Sequence, residues 1–243
     1  MSGHSKWATI KRQKGAADVK RGQAFTKLSM AITLAVKQGG GIGDPDSNFR
    51  LRLAIDAAKA ANMPKDNIAR AIDRASGKNM AHVDEVVYEG FGPHGIAVIV
   101  EGATDNKMRT TSEVKNLFDR QGGSMGQPGS VSYLFKQVGR IEVVKKDKSL
   151  DDIFLLAVDS GAEDVEESGE VVNVFTKPSD LARVRQLLTQ QGIEITEEEL
   201  EYVPLTKIAM ENSESTDQVI AFLEKMEDLQ DVQKVYSNID VDN

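Results

Sequence analysis

The sequence contains no cysteine, and this absence removes several kinds of chemistry at once. A chain of 243 residues without cysteine forms no disulfide, has no thiol nucleophile and offers zinc no thiolate. Its apolar runs are also short, since residues 95–100 and 153–158 fall far below the roughly 20 residues that a membrane helix needs. No apolar segment follows the first charged residues, so we expect no secretory signal, no membrane partner and a cytoplasmic protein.

Histidine is scarce as well. His4, His82 and His94 are separated by long intervals and lack the i,i+4 spacing of a helical metal site. Acidic residues are abundant, but the glutamates at 197–199 and 201 favour a solvated face over an acid–base pair. The sequence has no nucleophile elbow and no phosphate-binding P-loop. We therefore expect no catalysis, no cofactor, no metal and no small-molecule substrate.

Residues 90–95 match the pattern G-x-G-x-x-G. In a dinucleotide-binding unit this pattern joins a strand to a helix, whose N-terminus holds the pyrophosphate. Here the apolar residues 96–100 follow, and they predict a second strand. The glycines are therefore predicted to shape a hairpin turn.

Charges of opposite sign are separated along the chain. Residues 1–78 hold 15 Lys or Arg against 6 Asp or Glu, a net charge of +9. Because the chain totals are 30 and 38, residues 79–243 hold 15 basic and 32 acidic side chains, a net charge of −17. A surface charged only for solubility would intersperse the two signs, so the basic segment predicts an anionic partner such as nucleic acid.

The first third of the sequence has helical periodicity. Apolar residues at 25, 28, 32, 35 and 36 recur at three- and four-residue steps, and the run ends at the glycines at 39–41. Ser47 or Asn48 is predicted to cap a second helix, and Pro64 is predicted to precede a third. The pattern indicates a three-helix bundle, preceded by a flexible basic arm.

Beyond residue 78 the pattern changes to strands alternating with helices. Residues 136–205 follow the order strand, helix, strand, strand, helix, strand, which is that of a ferredoxin-like unit. A strand at 207–210, a helix and a strand to 236 need partners. Residues 83–135 can supply them, with Asp105 capping a helix that runs to about residue 121.

These patterns predict an α+β multidomain protein, in which a three-helix bundle is followed by two ferredoxin-like α+β domains, one inserted in the other. The predicted domains are a basic helical domain at 1–78, a discontinuous α+β domain at 79–135 plus 206–243, and an inserted ferredoxin-like domain at 136–205.

Basic residues concentrate in the N-terminal segment. Lys and Arg neutralise phosphates and release counterions, while Trp7, the only tryptophan, could stack on an unpaired base or pack on the bundle. The sequence places no Arg or Asn against a base edge, so it predicts no base-specific readout. The candidate nucleic-acid-binding residues are Lys6, Trp7, Lys11, Arg12, Lys14, Lys20, Arg21, Lys27, Arg50 and Arg52. Lys59, Lys65, Arg70 and Arg74 would widen this patch if their helical faces agree.

Several short motifs together resemble the YebC/PmpR family. They cover the first half of the chain densely and the last third loosely. The matching segments are residues 3–7 (GHSKW), 20–22 (KRG), 25–27 (FTK), 62–68 (NMPKDNI), 88–93 (YEGFGP), 101–106 (EGATDN) and 122–124 (GGS).

The resemblance implies three domains and a role in gene expression. Members of the family are described as DNA-binding transcriptional regulators, and related members as translation factors that act at the ribosome on stalled, proline-rich nascent chains. Three hypotheses follow: a DNA-binding regulator of transcription, a ribosome-associated factor that binds ribosomal RNA, and a scaffold whose acidic domains bind protein. Both DNA and ribosomal RNA present phosphates to the basic arm, and we favour DNA narrowly.

Overall fold

The structure, a computed structural model, describes residues 18–76, 83–145 and 148–240. The described residues form two compact units. The first unit comprises residues 18–134 together with 206–240, and the second comprises residues 135–205.

The elements alternate between helix and strand after an all-helical start. The first unit begins with α1 (Asp18–Gln38), α2 (Phe49–Ala60), α3 (Lys65–Ser76), β1 (Asp84–Phe91), β2 (Ala97–Thr104), α4 (Lys107–Arg120) and β3 (Ser124–Met125). The second unit contains β4 (Phe135–Val144), α5 (Leu150–Ser160), β5 (Asp164–Ser168), β6 (Val171–Thr176), α6 (Leu181–Gln190) and β7 (Ile195–Pro204). The first unit then resumes with β8 (Ile208–Ala209), α7 (Ser213–Glu227), β9 (Val232–Ser237) and β10 (Ile239–Asp240).

The three N-terminal helices pack on a shared apolar core. Helix α1 contributes Ile32 and Val36, both fully buried, and α2 contributes Leu51. Asn48 caps α2, because its Oδ1 accepts the N–H of Leu51 at 3.1 Å while its Nδ2 donates to the carbonyl of Ala35 at 3.0 Å. The predicted bundle and the second of its two candidate caps are confirmed.

The sheet of the first unit has the strand order β3-β1-β2-β9, and all its pairings are antiparallel. The hairpin strands β1 and β2 form the central pair of this sheet, and β3 and β9 form its edges. Strand β8 does not join this sheet. It pairs in parallel with β10 instead, so the prediction that residues 207–210 extend the main sheet is wrong.

Two local features of this sheet follow from its sequence. The glycine motif at 90–95 forms the turn between β1 and β2, where His94 has φ 57° and Gly95 has φ 76°. The cap of α4 is Asn106, whose Oδ1 accepts the N–H of Arg109 at 3.1 Å, and not Asp105 as predicted. Asp105 instead accepts a hydrogen bond from the Arg109 side chain at 2.9 Å.

Helices α4 and α7 pack together over the first unit's core. The rings of Phe118 and Phe222 lie 5.4 Å apart at an angle of 57°, and both side chains are fully buried. Strand β2 is buried along nearly its whole length, as expected of a strand with both faces covered. Helix α1 also contacts β2 and β9, so the helices and the sheet share one unit. The division of the chain into three domains remains a prediction.

The second unit is a ferredoxin-like domain. Its strand order is β5-β6-β4-β7 with antiparallel pairings, and α5 and α6 pack together. The first residue of β4, Phe135, pairs with Pro204 at the end of β7, so the chain enters and leaves this unit at adjacent points. The predicted α+β fold class is confirmed in both units.

Candidate nucleic-acid interface

The structure describes only part of the predicted basic patch. Lys6, Trp7, Lys11, Arg12 and Lys14 lie outside the described residues. The backbones of Lys20 and Arg21 belong to α1, but their side chains are outside the described part. These seven positions therefore remain predictions.

Lys27 bonds to a helix end inside the first unit. Its Nζ donates to the carbonyl of Glu227, the last residue of α7, and the side chain is half-buried. The C-terminus of a helix carries partial negative charge, so an ammonium group there is stabilising. Lys37 lies near the C-terminal end of α1. Its Nζ donates to the carbonyl of Val83 at 2.9 Å and to the carboxylate of Asp84 at 2.8 Å. Lys27 therefore links α1 to α7, and Lys37 links α1 to the start of β1.

Arg50 and Arg52 lie on α2 and have different surroundings. The exposed Arg50 donates from Nη1 to the side-chain oxygen of Gln38 at 2.7 Å. The guanidinium of Arg52 lies 5.1 Å from the ring centroid of Phe49, within cation–π range. The structure thus gives Lys27, Arg50 and Arg52 separate partners, and a shared contact with nucleic acid remains a prediction for them.

A groove lies between α1 and α3. Its volume is about 490 Å³, within the range of ligand clefts. Polar groups come from both helices, and Met30, Ala71 and Val83 supply apolar surface. The polar lining residues are Thr26, Ser29, Thr33, Asn67, Arg70, Arg74 and Asp105.

Helical spacing explains why these side chains meet. Thr26 and Thr33 are seven residues apart on α1, and Arg70 and Arg74 are four apart on α3, so each pair shares one face of its helix. The sequence identified both arginines as cations but could not tell which face of α3 meets α1. The hydroxyl residues gave no sequence signal at all.

The described residues offer no metal centre. No group of three or more His, Asp or Glu side chains within them is placed to hold a metal ion. No helix of this part of the chain is long and apolar enough to cross a membrane. What the interface offers is cations, hydroxyl groups and an amide, which together suit an oxyanion such as phosphate.

Comparison with family models covers nearly the whole chain. Residues 5–78 match the TACO1/YebC protein N-terminal domain, and residues 83–239 match the TACO1/YebC second and third domain. The boundary between the two matches falls between the last N-terminal helix and the first strand.

Individual proteins and one solved structure agree with these models. A probable transcriptional regulatory protein of Roseiflexus castenholzii is 47% identical, with 99% of this chain and 96% of that protein covered. A protein of the same description from Herpetosiphon aurantiacus is 49% identical, with 99% and 95% covered. The crystal structure of a conserved hypothetical protein, Aq1575, from Aquifex aeolicus has a TM-score of 0.82 and 40% identity, and covers 92% of this chain and 91% of its own. Family models and full-length relatives agree, and the chain belongs to the YebC/PmpR family.

Proposed function

We propose that this protein is a nucleic-acid-binding regulator of transcription that acts on duplex DNA without catalysing a reaction. The observation that carries the proposal is the separation of charge, with +9 on residues 1–78 and −17 on residues 79–243. Relatives that match over their full length are named probable transcriptional regulatory proteins, which supports a regulatory role in general.

The charge separation favours a defined mode of binding. The basic segment attracts phosphates within a Debye length of about 8 Å, while the acidic remainder repels the polymer elsewhere. The protein therefore engages nucleic acid through one end of its chain and leaves its acidic domains for a protein partner. The groove between α1 and α3 lies in the basic segment and presents Arg70 and Arg74.

Fluorescence anisotropy with a labelled duplex tests this function. The variant replaces six N-terminal cations with alanine, and its control replaces six exposed cations of the acidic part. The variant changes Lys6, Lys11, Arg12, Lys14, Lys20 and Arg21, and the control changes Lys115, Arg120, Lys136, Lys148, Lys177 and Lys225. If each N-terminal cation binds one phosphate, the plot of log K against log salt concentration is less steep by about 5 in the variant than in the wild type. The slope should change little in the control.

Co-sedimentation with ribosomes separates the alternatives. A protein that pellets with ribosomes through the same six cations, and is not released by duplex DNA, is a ribosome-associated factor and contradicts the DNA proposal. If neither duplex nor ribosomes bind and the six substitutions change nothing, the acidic scaffold hypothesis replaces it.

A further inference from the structure

The groove between α1 and α3 has the donors of an anion site on one wall. Arg70 and Arg74 are both exposed and lie one helical turn apart on α3. Like charges at this spacing destabilise a helix weakly, and an anion between them would remove the repulsion. Within the described part of the chain Arg74 has no hydrogen bond or ion pair.

Arg70 is held in place by its own helix. Its Nε donates to the carbonyl of Asp66 at 3.1 Å, and its Nη2 donates to the side-chain oxygen of Asn67. A guanidinium has five N–H groups in a fixed plane, so these two bonds orient the others without using them. Less side-chain entropy is then lost when a ligand binds.

The opposite wall supplies hydroxyl groups. Thr26, Ser29 and Thr33 each donate to the carbonyl four residues earlier, at 3.1, 2.8 and 2.9 Å. Those carbonyls belong to α1 and already accept helical N–H bonds, so each hydroxyl proton can turn to a ligand without leaving a backbone group unsatisfied. The two walls together supply guanidinium and hydroxyl donors, which are the kinds of donor that phosphate oxygens accept.

Asp105 is a single carboxylate at this groove. Its Oδ1 accepts from Arg109 Nη2 at 2.9 Å, and the same nitrogen bonds the buried carboxylate of Asp231 at 2.7 Å. The buried carboxylate of Asp231 therefore orients the Arg109 side chain, and Arg109 in turn holds the carboxylate of Asp105 beside the groove. A negative charge there opposes any anion and limits how tightly it is held.

We propose that this groove is a phosphate-binding site, in which Arg70 and Arg74 hold one backbone phosphate of the nucleic acid while Asp105 weakens the contact. The assignment of a backbone phosphate rests on the proposed function, whereas the anion site itself rests on the groove alone. A free phosphate compound has the same chemistry, and the test below distinguishes the two sources.

The test measures a 20-base-pair duplex by anisotropy over a range of salt, and inorganic pyrophosphate by calorimetry. The variant R70Q/R74Q is compared with K115Q/K177Q, which removes the same charge from exposed lysines of the acidic part, outside the groove. The groove variant should bind duplex on the order of tenfold more weakly, and its plot of log K against log salt should be less steep by about 1, because one phosphate contact is lost. Asp105→Asn should strengthen binding relative to its control, Asp73→Asn, an exposed carboxylate on α3.

Each result decides one question. Loss of duplex affinity confined to the groove variant, with no heat from millimolar pyrophosphate, supports a backbone phosphate. If pyrophosphate binds and only the groove variant loses it, the site holds free phosphate compounds, and this outcome stands even if the duplex does not bind at all. Equal losses in R70Q/R74Q and K115Q/K177Q overturn the groove site and leave the proposed function intact. Absence of binding to both probes overturns both.

Discussion

At the residue scale, the carboxylate of Asp231 joins two distant parts of the first unit. It is fully buried just before β9 and accepts hydrogen bonds from Thr104 Oγ1 at 3.0 Å, Thr110 Oγ1 at 2.6 Å and Arg109 Nη2 at 2.7 Å. Burial alone raises the pKa of Asp231, but these hydrogen bonds and the charge of Arg109 outweigh it and lower the pKa below its usual range.

Asp231→Asn is predicted to destabilise the protein by roughly 2–4 kcal/mol, because the new amide group would face two hydroxyl donors and the Arg109 cation from a buried position. Because the pKa of Asp231 is lower in the folded than in the unfolded protein, the ionised carboxylate stabilises the fold at pH values above its unfolded-state pKa of about 3.9. This stabilisation is lost as the pH falls through the folded-state pKa. Urea unfolding between pH 7 and pH 3 should therefore show a smaller acid-induced loss in the variant. Asp228→Asn, an exposed change three residues away, serves as the control, and equal effects of the two would contradict this role.

Glu89 fixes the loop that leads out of β3. Its carboxylate accepts the backbone N–H groups of Gly129, Val131 and Ser132 at 2.8, 2.9 and 2.8 Å. Burial raises the pKa of Glu89, and the three backbone hydrogen bonds lower it further than burial raises it. The loop is therefore held by a charged acceptor over most of the pH range.

Glu89→Gln is predicted to loosen this loop without unfolding the unit, because an amide supplies only one acceptor atom. Hydrogen exchange at Val131 and Ser132 should become about tenfold faster, equivalent to roughly 1.4 kcal/mol of local stability. Glu85→Gln, an exposed change on the same strand, should leave those amides unchanged. Unchanged exchange in Glu89→Gln would show that the loop is held by other contacts.

At the element scale, the register of β4 against β7 depends on Arg140. This buried guanidinium faces the carboxylates of Glu142, Glu197 and Glu201 at 3.6, 2.9 and 3.3 Å, and also bonds that of Glu199, its cross-strand neighbour. Arg140→Met removes the one cation that these four contacts share and is predicted to destabilise the second unit by roughly 3 kcal/mol at neutral pH. The loss should shrink in acid, because protonated carboxyl groups no longer repel one another when the cation is absent.

Thermal unfolding at pH 7 and pH 4.5 checks this prediction. Lys136→Met on the same strand is the matched control, since its ion pair with Glu163 at 2.9 Å is half exposed and contributes at most about 1 kcal/mol. Similar losses in the two variants, or a loss that does not depend on pH, would show that Arg140 does not organise the strand pair.

The helices of the first unit were predictable from the sequence because their local signals agree. The apolar spacing along α1, the glycines that end it, the Asn48 cap and Pro64 before α3 each depend on residues within one or two turns. The ferredoxin-like order of the second unit was predictable in the same way, because apolar residues change between the spacing of a strand and the spacing of a helix along residues 136–205. Where neighbouring residues have similar chemistry, as with Asp105 and Asn106, the sequence could not choose the cap.

The candidate site was less predictable because it depends on contacts between elements. Arg70 and Arg74 were visible as cations, but only the packing of α3 against α1 brings them to a groove with Thr26 and Ser29. Asp231 is one of 38 acidic residues, and nothing in its sequence neighbours indicates that it is buried against Thr104. The short β8 was assigned to the wrong sheet for the same reason.

At the scale of the whole molecule, the second unit is predicted to be removable. Phe135 pairs with Pro204, and opposed residues in an antiparallel pair lie about 5 Å apart, so the two ends of the unit can be joined by a short Gly/Ser linker. The remaining chain keeps β9 beside β2 and the Phe118–Phe222 contact. Circular dichroism and urea unfolding should show one cooperative transition for this deletion protein, which lacks residues 135–205.

Removal of the C-terminal segment should have the opposite effect, although it deletes fewer residues. A chain that ends at residue 205 loses β9 from the sheet, Phe222 from the core and the Asp231 carboxylate from Thr104, so it should not fold cooperatively. Because the basic segment is intact in both proteins, the deletion protein should bind duplex within about threefold of the full chain if the acidic second unit is not part of the nucleic-acid interface. A deletion protein that folds but fails to bind would instead place part of that interface on residues 135–205.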